Sequence, residues 1–198
     1  EVSSKIEKPD LIISSHTFEH INNLSEQIKR IVDFGTDECV FIIEMPSFDS
    51  LVKQRRFDQV FHQHIQYLSI ESMRKMIDDC NCRYIGHKFN YSYWGGTLLF
   101  CFEKGHSISY RDKNEDDYTR LDTGVVRQAW HEYSNNLKNI SNLMQDLKEE
   151  IYAFGAAQMF PILFHHMEID EKIFRGIIDD NPARIGKKLY PFKLKCFL

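Results

Sequence analysis

Residues 10–46, DLIISSHTFEHINNLSEQIKRIVDFGTDECVFIIEMP, hold the pattern that decides the fold. A short apolar run at residues 10–15 is followed by apolar residues at helical spacing between residues 24 and 32, and Gly35 ends that segment. A second apolar run occupies residues 40–43. Short continuous apolar runs are typical of buried parallel strands. The order of strand, helix and strand therefore predicts a parallel α/β unit with a right-handed crossover.

Polar residues follow both predicted strands. Ser15, His16, Glu19 and His20 come after the first strand, and Glu44 ends the second. In parallel sheets, ligands bind beyond the carboxyl ends of the strands, so these residues are candidates for a site.

The segment at residues 57–69, FDQVFHQHIQYLS, carries two histidines among aromatic residues. Imidazole exchanges protons near neutral pH, and a loop before the helix that Ser69 caps is a usual place for such a group. The alternative is that both histidines only pack. Together with His16 and His20 the pattern raises a metal site, but no carboxylate or cysteine has a typical ligand spacing, and we predict no metal.

The chain continues with a helix after Ser69 and two strands at residues 83–89 and 97–102. The turn between these strands contains Gly95 and Gly96, which allow either a tight hairpin turn or a close approach of a ligand. Charged residues 103–118 predict a linker. Apolar residues then recur every three or four positions up to Leu147, which predicts a helix of roughly 45 Å with Gly124 as a candidate interruption.

A second α/β unit follows. It consists of a strand at residues 151–154, a turn at Gly155, a helix from Met159 and a strand at residues 173–178 before Asp179. This is the outline of a nucleotide-binding half-fold, although the turn lacks the GxGxxG spacing. The alternative is a turn that binds nothing.

Composition excludes some classes of partner. The 198 residues carry a net charge of −4 without a basic tract, which argues against nucleic acid and anionic membrane surfaces. No apolar run reaches the roughly 18 residues of a membrane span. The five cysteines include no CxxC pair, so we expect free thiols and a cytoplasmic location.

A family resemblance rests on six motifs in order: DLIISSHTFEHI, VFIIEMPSF, FHQHIQYLS, WGGTLLF, YAFGAAQMFPIL and IIDDNPARIGKKL. Together they resemble the S-adenosylmethionine-dependent sugar C-methyltransferases, which act on nucleotide-linked deoxysugars. The resemblance implies the later half of a class I methyltransferase (Rossmann-like) sheet at residues 1–104, a linker and long helix at 105–149, and a C-terminal Rossmann-like unit at 150–198. The glycine-rich cofactor loop has no counterpart, so we expect a piece of a longer protein that is inactive alone.

The resemblance also implies roles for individual residues. His20 matches a histidine near the substrate, and residues 61–64 match a Tyr-His-Glu-His segment whose second histidine, here His64, is the favoured base. Phe61 and Gln63 depart from that segment, which leaves the acceptor open. The residues assigned are His64, His62 and His20 to catalysis, Phe61, Gln63, Gly95, Gly96 and Gly155 to substrate binding, and Ser15 and His16 to the cofactor.

Two further hypotheses stand beside the methyltransferase. One is a fragment or diverged relative that serves as a substrate-binding or interaction module; the other, less favoured, is a nucleotide-sugar dehydrogenase or epimerase. A chain that starts at the fourth strand of the sheet would also expose an apolar edge at residues 11–14. We expect another chain or further residues to cover that edge.

Overall fold

The computed structural model describes residues 7–93, 95–105 and 120–198. These residues divide into two compact units, one up to residue 129 and the other from residue 130. The elements of the first unit are β1 (Leu11–Ser15), α1 (Leu24–Phe34), β2 (Val40–Pro46), α2 (Phe48–Gln54), α3 (Ile70–Asp78), β3 (Cys82–Asn90) and β4 (Thr97–Lys104). The long helix α4 (Thr123–Asp146) begins in this unit and continues into the second.

The sheet of the first unit has the strand order β1-β2-β4-β3. Strands β1 and β2 are parallel and are joined through α1, which confirms the predicted α/β unit. Strand β4 lies antiparallel between β2 and β3, so the predicted strand pair forms as expected within a mixed sheet.

Every second side chain of β2 and of β4 points to the same face of the sheet, and these side chains build one hydrophobic core. Phe41, Ile43 and Met45 of β2 are fully buried, as are the residues that β4 presents on the same side. Phe41 stacks on Phe102 of β4 with ring centroids 4.8 Å apart. The helices complete the cluster with Leu24, Ile28 and Val32 from α1 and Ile70, Met73 and Ile77 from α3. Burial of each such side chain contributes about 1.5–3 kcal/mol, so the helical spacing of these residues fixes how both helices pack.

The prediction that residues 10–15 form a buried strand is wrong in part. The strand forms, but Leu11 is 50% and Ile13 is 64% exposed, and Ile12 packs against the core. Successive residues of a strand point to opposite faces of the sheet, so Leu11 and Ile13 share the face opposite to Ile12, and that face is exposed. A continuous apolar run does not reveal which face of a strand is covered.

The second unit contains the remainder of α4, then β5 (Ile151–Phe154), α5 (Met159–Met167), β6 (Phe174–Ile178) and β7 (Cys196–Phe197). Strands β5, β6 and β7 form a parallel sheet in that order, and the predicted strand, turn, helix and strand are confirmed. Strand β7 was not predicted, because two residues carry no periodic pattern. The core of the second unit includes Ala153, Ile177 and Cys196.

The long helix is shorter than its apolar pattern predicted. Its 24 residues correspond to about 36 Å. Gly124 is the second helical residue and does not interrupt it. The predicted linker begins only after Lys104, where β4 ends, and residues 106–119, including Tyr118, lie outside the described part of the chain.

Two further predictions concern the whole chain. All five cysteines are free thiols, with Cys39 buried beside β2 and Cys101 half-buried within β4. Among the described residues, no helix combines the length and apolarity that a membrane span requires.

Candidate functional site

The candidate site begins where β1 ends. The backbone of His16 adopts a left-handed conformation, with φ 48°, and a 3-10 turn at Phe18–His20 follows. This turn directs Glu19 inward, where its side chain is 2% exposed, and leaves the imidazole of His20 44% exposed. A carboxylate and an imidazole therefore lie side by side at the carboxyl end of a parallel strand, the usual place for a ligand.

The segment around residues 61–66 is tied to this turn by backbone hydrogen bonds. The amides of Ile65 and Gln66 both donate to the carbonyl oxygen of Glu19, at 2.8 and 3.1 Å. Nδ1 of His20 lies 2.7 Å from the carbonyl oxygen of Gln63, and since a carbonyl only accepts, this nitrogen carries the proton. In the neutral ring, Nε2 of His20 then carries the lone pair.

Four titratable side chains gather at this junction. Oε1 of Glu19 lies 3.3 Å from Nδ1 of His16 and 3.8 Å from Nε2 of His20. The rings of His20 and His64 are 5.2 Å apart between centroids. We refer to Glu19, His20 and His64 as the His-Glu cluster; each offers a potential ligand atom, and these three atoms lie within 4.8 Å of one another.

Burial favours the neutral form of His64. Burial lowers its pKa below the ordinary imidazole value, and the nearby His20 and His16 lower it further, whereas Glu19 and a hydrogen bond to the backbone of Gln59 oppose the shift. The ring of Phe61, 4.2 Å away between centroids, covers one side of the imidazole. A neutral imidazole accepts a proton or ligates a metal ion, so His64 suits either chemistry.

Residues 1–87 match a methyltransferase domain. The matched residues include the whole His-Glu cluster, and the mixed α/β architecture is consistent with a Rossmann-like methyltransferase fold. The chain is also similar to the C-methyltransferase NovU of Streptomyces niveus, with 24% identity over 85 residues. That alignment covers 43% of this chain and 20% of NovU, so the chain aligns with about a fifth of the curated relative's length. Both similarities support a relationship to methyltransferases.

The two histidines of the HQH motif lie in different surroundings. His62 and Gln63 are exposed on a turn, whereas His64 is half-buried in the methyltransferase-matched part. The His-Glu cluster contains His64 and His20 but not His62. The structure thus brings together two of the three residues assigned to catalysis.

The residues assigned to the cofactor already have polar contacts. The hydroxyl of Ser15 donates to Glu44 Oε2 at 2.8 Å, and Thr97 donates to the other carboxylate oxygen at 3.4 Å. The ring of His16 lies 5.7 Å from that of Tyr93. Both residues lie at the carboxyl end of β1, and their contact with a cofactor stays a prediction.

The paired glycines pack against protein atoms. A Cβ added to Gly96 would lie 2.4 Å from Cβ of Ser50, and one added to Gly95 would lie 2.6 Å from Nη1 of Arg56. Both glycines have positive φ, which side chains disfavour. These contacts favour the hairpin-turn interpretation, and substrate binding at the two glycines stays a prediction.

Gly155 belongs to the second unit, whereas the residues of the His-Glu cluster belong to the first. It turns the chain after β5 with φ 86°, and an added Cβ would meet no atom within 4 Å. The carboxylate of Asp179 accepts from the amide of Ala156 at 2.6 Å and from Nη1 of Arg184 at 2.9 Å. The acidic end of β6 therefore holds this turn in place.

The sequence analysis placed Glu19 among the candidate residues but gave it no role. Its contacts with His64 and with the backbone of Ile65 cross more than forty residues, so no local spacing marks it. The sequence analysis found no carboxylate at a typical ligand spacing along the chain, and in the folded protein Glu19 lies near both His20 and His64. Its position beside His20 and directly after a parallel strand was the available signal.

The dehydrogenase or epimerase hypothesis gains no support from the first unit. That hypothesis requires a catalytic Tyr-x-x-x-Lys pair. Tyr84 and Lys88 have this spacing, but they lie in β3. Residues four apart are neighbours on a helix but about 13 Å apart along a strand.

Proposed function

We propose that the protein acts in S-adenosylmethionine-dependent methyl transfer, with a nucleotide-linked sugar as acceptor and His64 as the base. The observation that supports this most is the His-Glu cluster, since a neutral imidazole, desolvated by Phe61 and close to a buried carboxylate, is suited to accept a proton. The methyltransferase-domain match over residues 1–87 supports the reaction class.

The proposed chemistry separates proton removal from methyl transfer. The free ring nitrogen of His64 takes a proton from the carbon next to the sugar ketone, and the C–H electron pair forms an enolate. S-adenosylmethionine, when bound, supplies the methyl group that the enolate carbon attacks, with S-adenosylhomocysteine as the leaving group. The carboxylate of Glu19 would then stabilise the imidazolium that His64 becomes.

Ser15 and His16 are the residues that would contact the cofactor. They follow a parallel strand at its carboxyl end, and the buried Nε2 of His16 has no hydrogen-bond partner among the described residues. A donor or acceptor on the cofactor would satisfy that nitrogen.

Phe61 and Gln63 influence which methyl acceptor the site can recognise. Gln63 presents its backbone carbonyl to His20 and Phe61 covers His64, so neither supplies the hydroxyl or carboxylate that the resembling segment has at these positions. Glu19 brings a carboxylate to the same imidazoles from the other segment. We therefore propose an acceptor that is recognised without a tyrosine hydroxyl.

A substrate-binding or interaction module is the second candidate. It is favoured by the exposed Leu11 and Ile13 on the edge strand β1. We propose that another chain or further residues cover this edge in either case. Replacement of Ile13 by lysine should then weaken any self-association measured by light scattering, and unchanged association would argue against the edge as the contact.

The decisive experiment measures proton removal without methyl transfer. The protein is incubated in D2O with nucleotide-linked keto-deoxysugars, and exchange of the proton next to the ketone is followed by NMR. Wild type should exchange it, His64→Gln should lose at least 100-fold, within the usual range for a general base of about 10²–10⁴, and His131→Gln on the exposed face of α4 should match wild type. Equal rates in wild type and His64→Gln would remove His64 from the reaction.

Calorimetry with S-adenosylhomocysteine separates the two candidates further. Binding together with exchange supports the methyltransferase. Sugar binding without S-adenosylhomocysteine binding and without proton exchange supports the binding module.

A further inference from the structure

The His-Glu cluster has the ligand set of a transition-metal site. Two imidazole nitrogens and one carboxylate oxygen lie within 4.8 Å of one another. Two histidines and one glutamate occur in catalytic zinc sites, which keep a fourth position open. Residues 7–93, 95–105 and 120–198 hold no other group of three such side chains at this spacing.

The carboxylate of Glu19 supplies an independent observation. Its side chain is 98% buried, and Oε2 has no hydrogen-bond partner in the described part of the chain. A buried polar atom left unpaired costs about 1–3 kcal/mol, more when charged. A cation beside Oε2 would remove that cost.

Both histidines are oriented as metal ligands usually are. Nδ1 of His20 donates to the carbonyl of Gln63, and the ring of His64 donates to the backbone of Gln59. Metal-binding histidines typically donate their second nitrogen to such a carbonyl, which fixes the tautomer. The free Nε2 of His20 lies 3.8 Å from Oε1 of Glu19.

The three ligand atoms must move closer together to bind one ion. Ligand atoms about 2.0–2.1 Å from a tetrahedral zinc ion are about 3.3 Å apart. The 3.8 Å between His20 and Glu19 would close by about half an ångström, and the widest pair of the cluster, up to 4.8 Å apart, by up to about 1.5 Å. The 44% exposure of His20 gives an ion access from solvent.

We propose that Glu19, His20 and His64 bind one divalent first-row transition-metal ion, of which Zn²⁺ is the best match. Three protein ligands leave one position for water or a substrate oxygen. This inference does not depend on the proposed function, because binding is measured without sugar or cofactor. A metal ion on His64 would occupy the lone pair that a base needs, so the proposed proton removal belongs to the metal-free protein.

The test is a titration of the 198-residue protein, without a polyhistidine tag, with Co²⁺ followed by visible absorption and with Zn²⁺ by calorimetry. We expect one ion per chain with a Kd of about 1 µM or tighter. Glu19→Gln, His20→Ala and His64→Ala should each weaken binding at least about tenfold. Glu38→Gln and His131→Ala, at exposed positions, are the matched controls and should bind as wild type.

Two results would overturn the proposal. One is the absence of Co²⁺ and Zn²⁺ binding at micromolar concentrations; the other is equal binding in wild type and His20→Ala. His20 is exposed, so its replacement remains informative even where Glu19→Gln impairs folding, which circular dichroism would reveal. Loss of proton exchange in His64→Gln without any metal binding would refute the metal site and leave the proposed function standing.

Discussion

Replacement of Gly96 by alanine tests why two glycines occur together in the turn between β3 and β4. Gly96 has a φ of 124°, which L side chains rarely adopt. An added Cβ would lie 2.4 Å from Cβ of Ser50, and Ser50 is fully buried in α2. Neither backbone nor neighbour therefore accommodates a methyl group without a shift.

The expected loss of stability has two parts. A residue in a sparsely populated backbone conformation costs about 1–3 kcal/mol, and overpacking a core contact costs a further ~1–3 kcal/mol. The free energy of unfolding, measured by urea denaturation with circular dichroism, should thus fall by about 2–6 kcal/mol. Gly86→Ala in β3 is the control, because no atom lies within 4 Å of its added Cβ, and it should change stability by less than about 0.5 kcal/mol.

A double mutant separates the two parts. Ser50→Gly removes the close Cβ but leaves the backbone conformation, so Gly96→Ala should still cost about 1–3 kcal/mol in that background. If Gly96→Ala were as stable as Gly86→Ala, the packing argument would be refuted. Complete recovery in the Ser50→Gly background would refute the strain argument alone.

Three further predictions follow from titratable groups. The proton-exchange rate should depend on the neutral fraction of His64. Because burial lowers the pKa of His64, the rate should reach its plateau at a lower pH than it would with an ordinary imidazole. A midpoint of the pH profile at or above about 6.5 would contradict this. Burial raises the pKa of Cys82 to about 12, so iodoacetamide at mildly alkaline pH should label it in urea but not in the native protein, as peptide mass spectrometry would show. In the second unit, Asp179→Ala should destabilise the fold in urea titrations and the exposed Asp180→Ala should not, because Asp179 alone accepts the amide of Ala156; equal stability of the two variants would count against this role.

Local patterns were sufficient for most of the helices and strands. The spacing of Leu24, Ile28 and Val32 predicts α1 because one helical face must be buried, and Gly35 follows its last residue as expected. Ser69 caps α3, as the sequence indicates, and does so through a capping box with Ser72. Such features depend on residues within a few positions of one another.

Burial of β1 could not be predicted in the same way. Its apolar run matches a strand covered on both faces, yet the exposure of Leu11 and Ile13 depends on which strands and helices lie beside it. Helix α2 was missed because it has only seven residues and lies directly after β2. Both outcomes depend on contacts between distant parts of the chain.

The sequence predicted where the site lies better than it predicted which residues form it. His64 and His20 were both assigned, but only the turn that exposes His62 distinguishes it from His64. Glu19 was seen beside His20 without a role, since its partners at residues 64–66 come from another segment. Hydrogen bonds between segments, rather than spacing, decide which side chains form the cluster.

These hydrogen bonds also connect the fold to the chemistry. The carbonyl of Glu19 accepts two amides from residues 65 and 66, while its carboxylate lies among the imidazoles of His16, His20 and His64. The backbone of one residue thus positions the segment that carries His64, and its side chain provides the charge that this histidine experiences. Although residue 63 is a glutamine, the site still contains a carboxylate, because Glu19 supplies it from the end of β1. The segment that decides the fold, residues 10–46, also contributes the group on which both proposed activities of His64 depend.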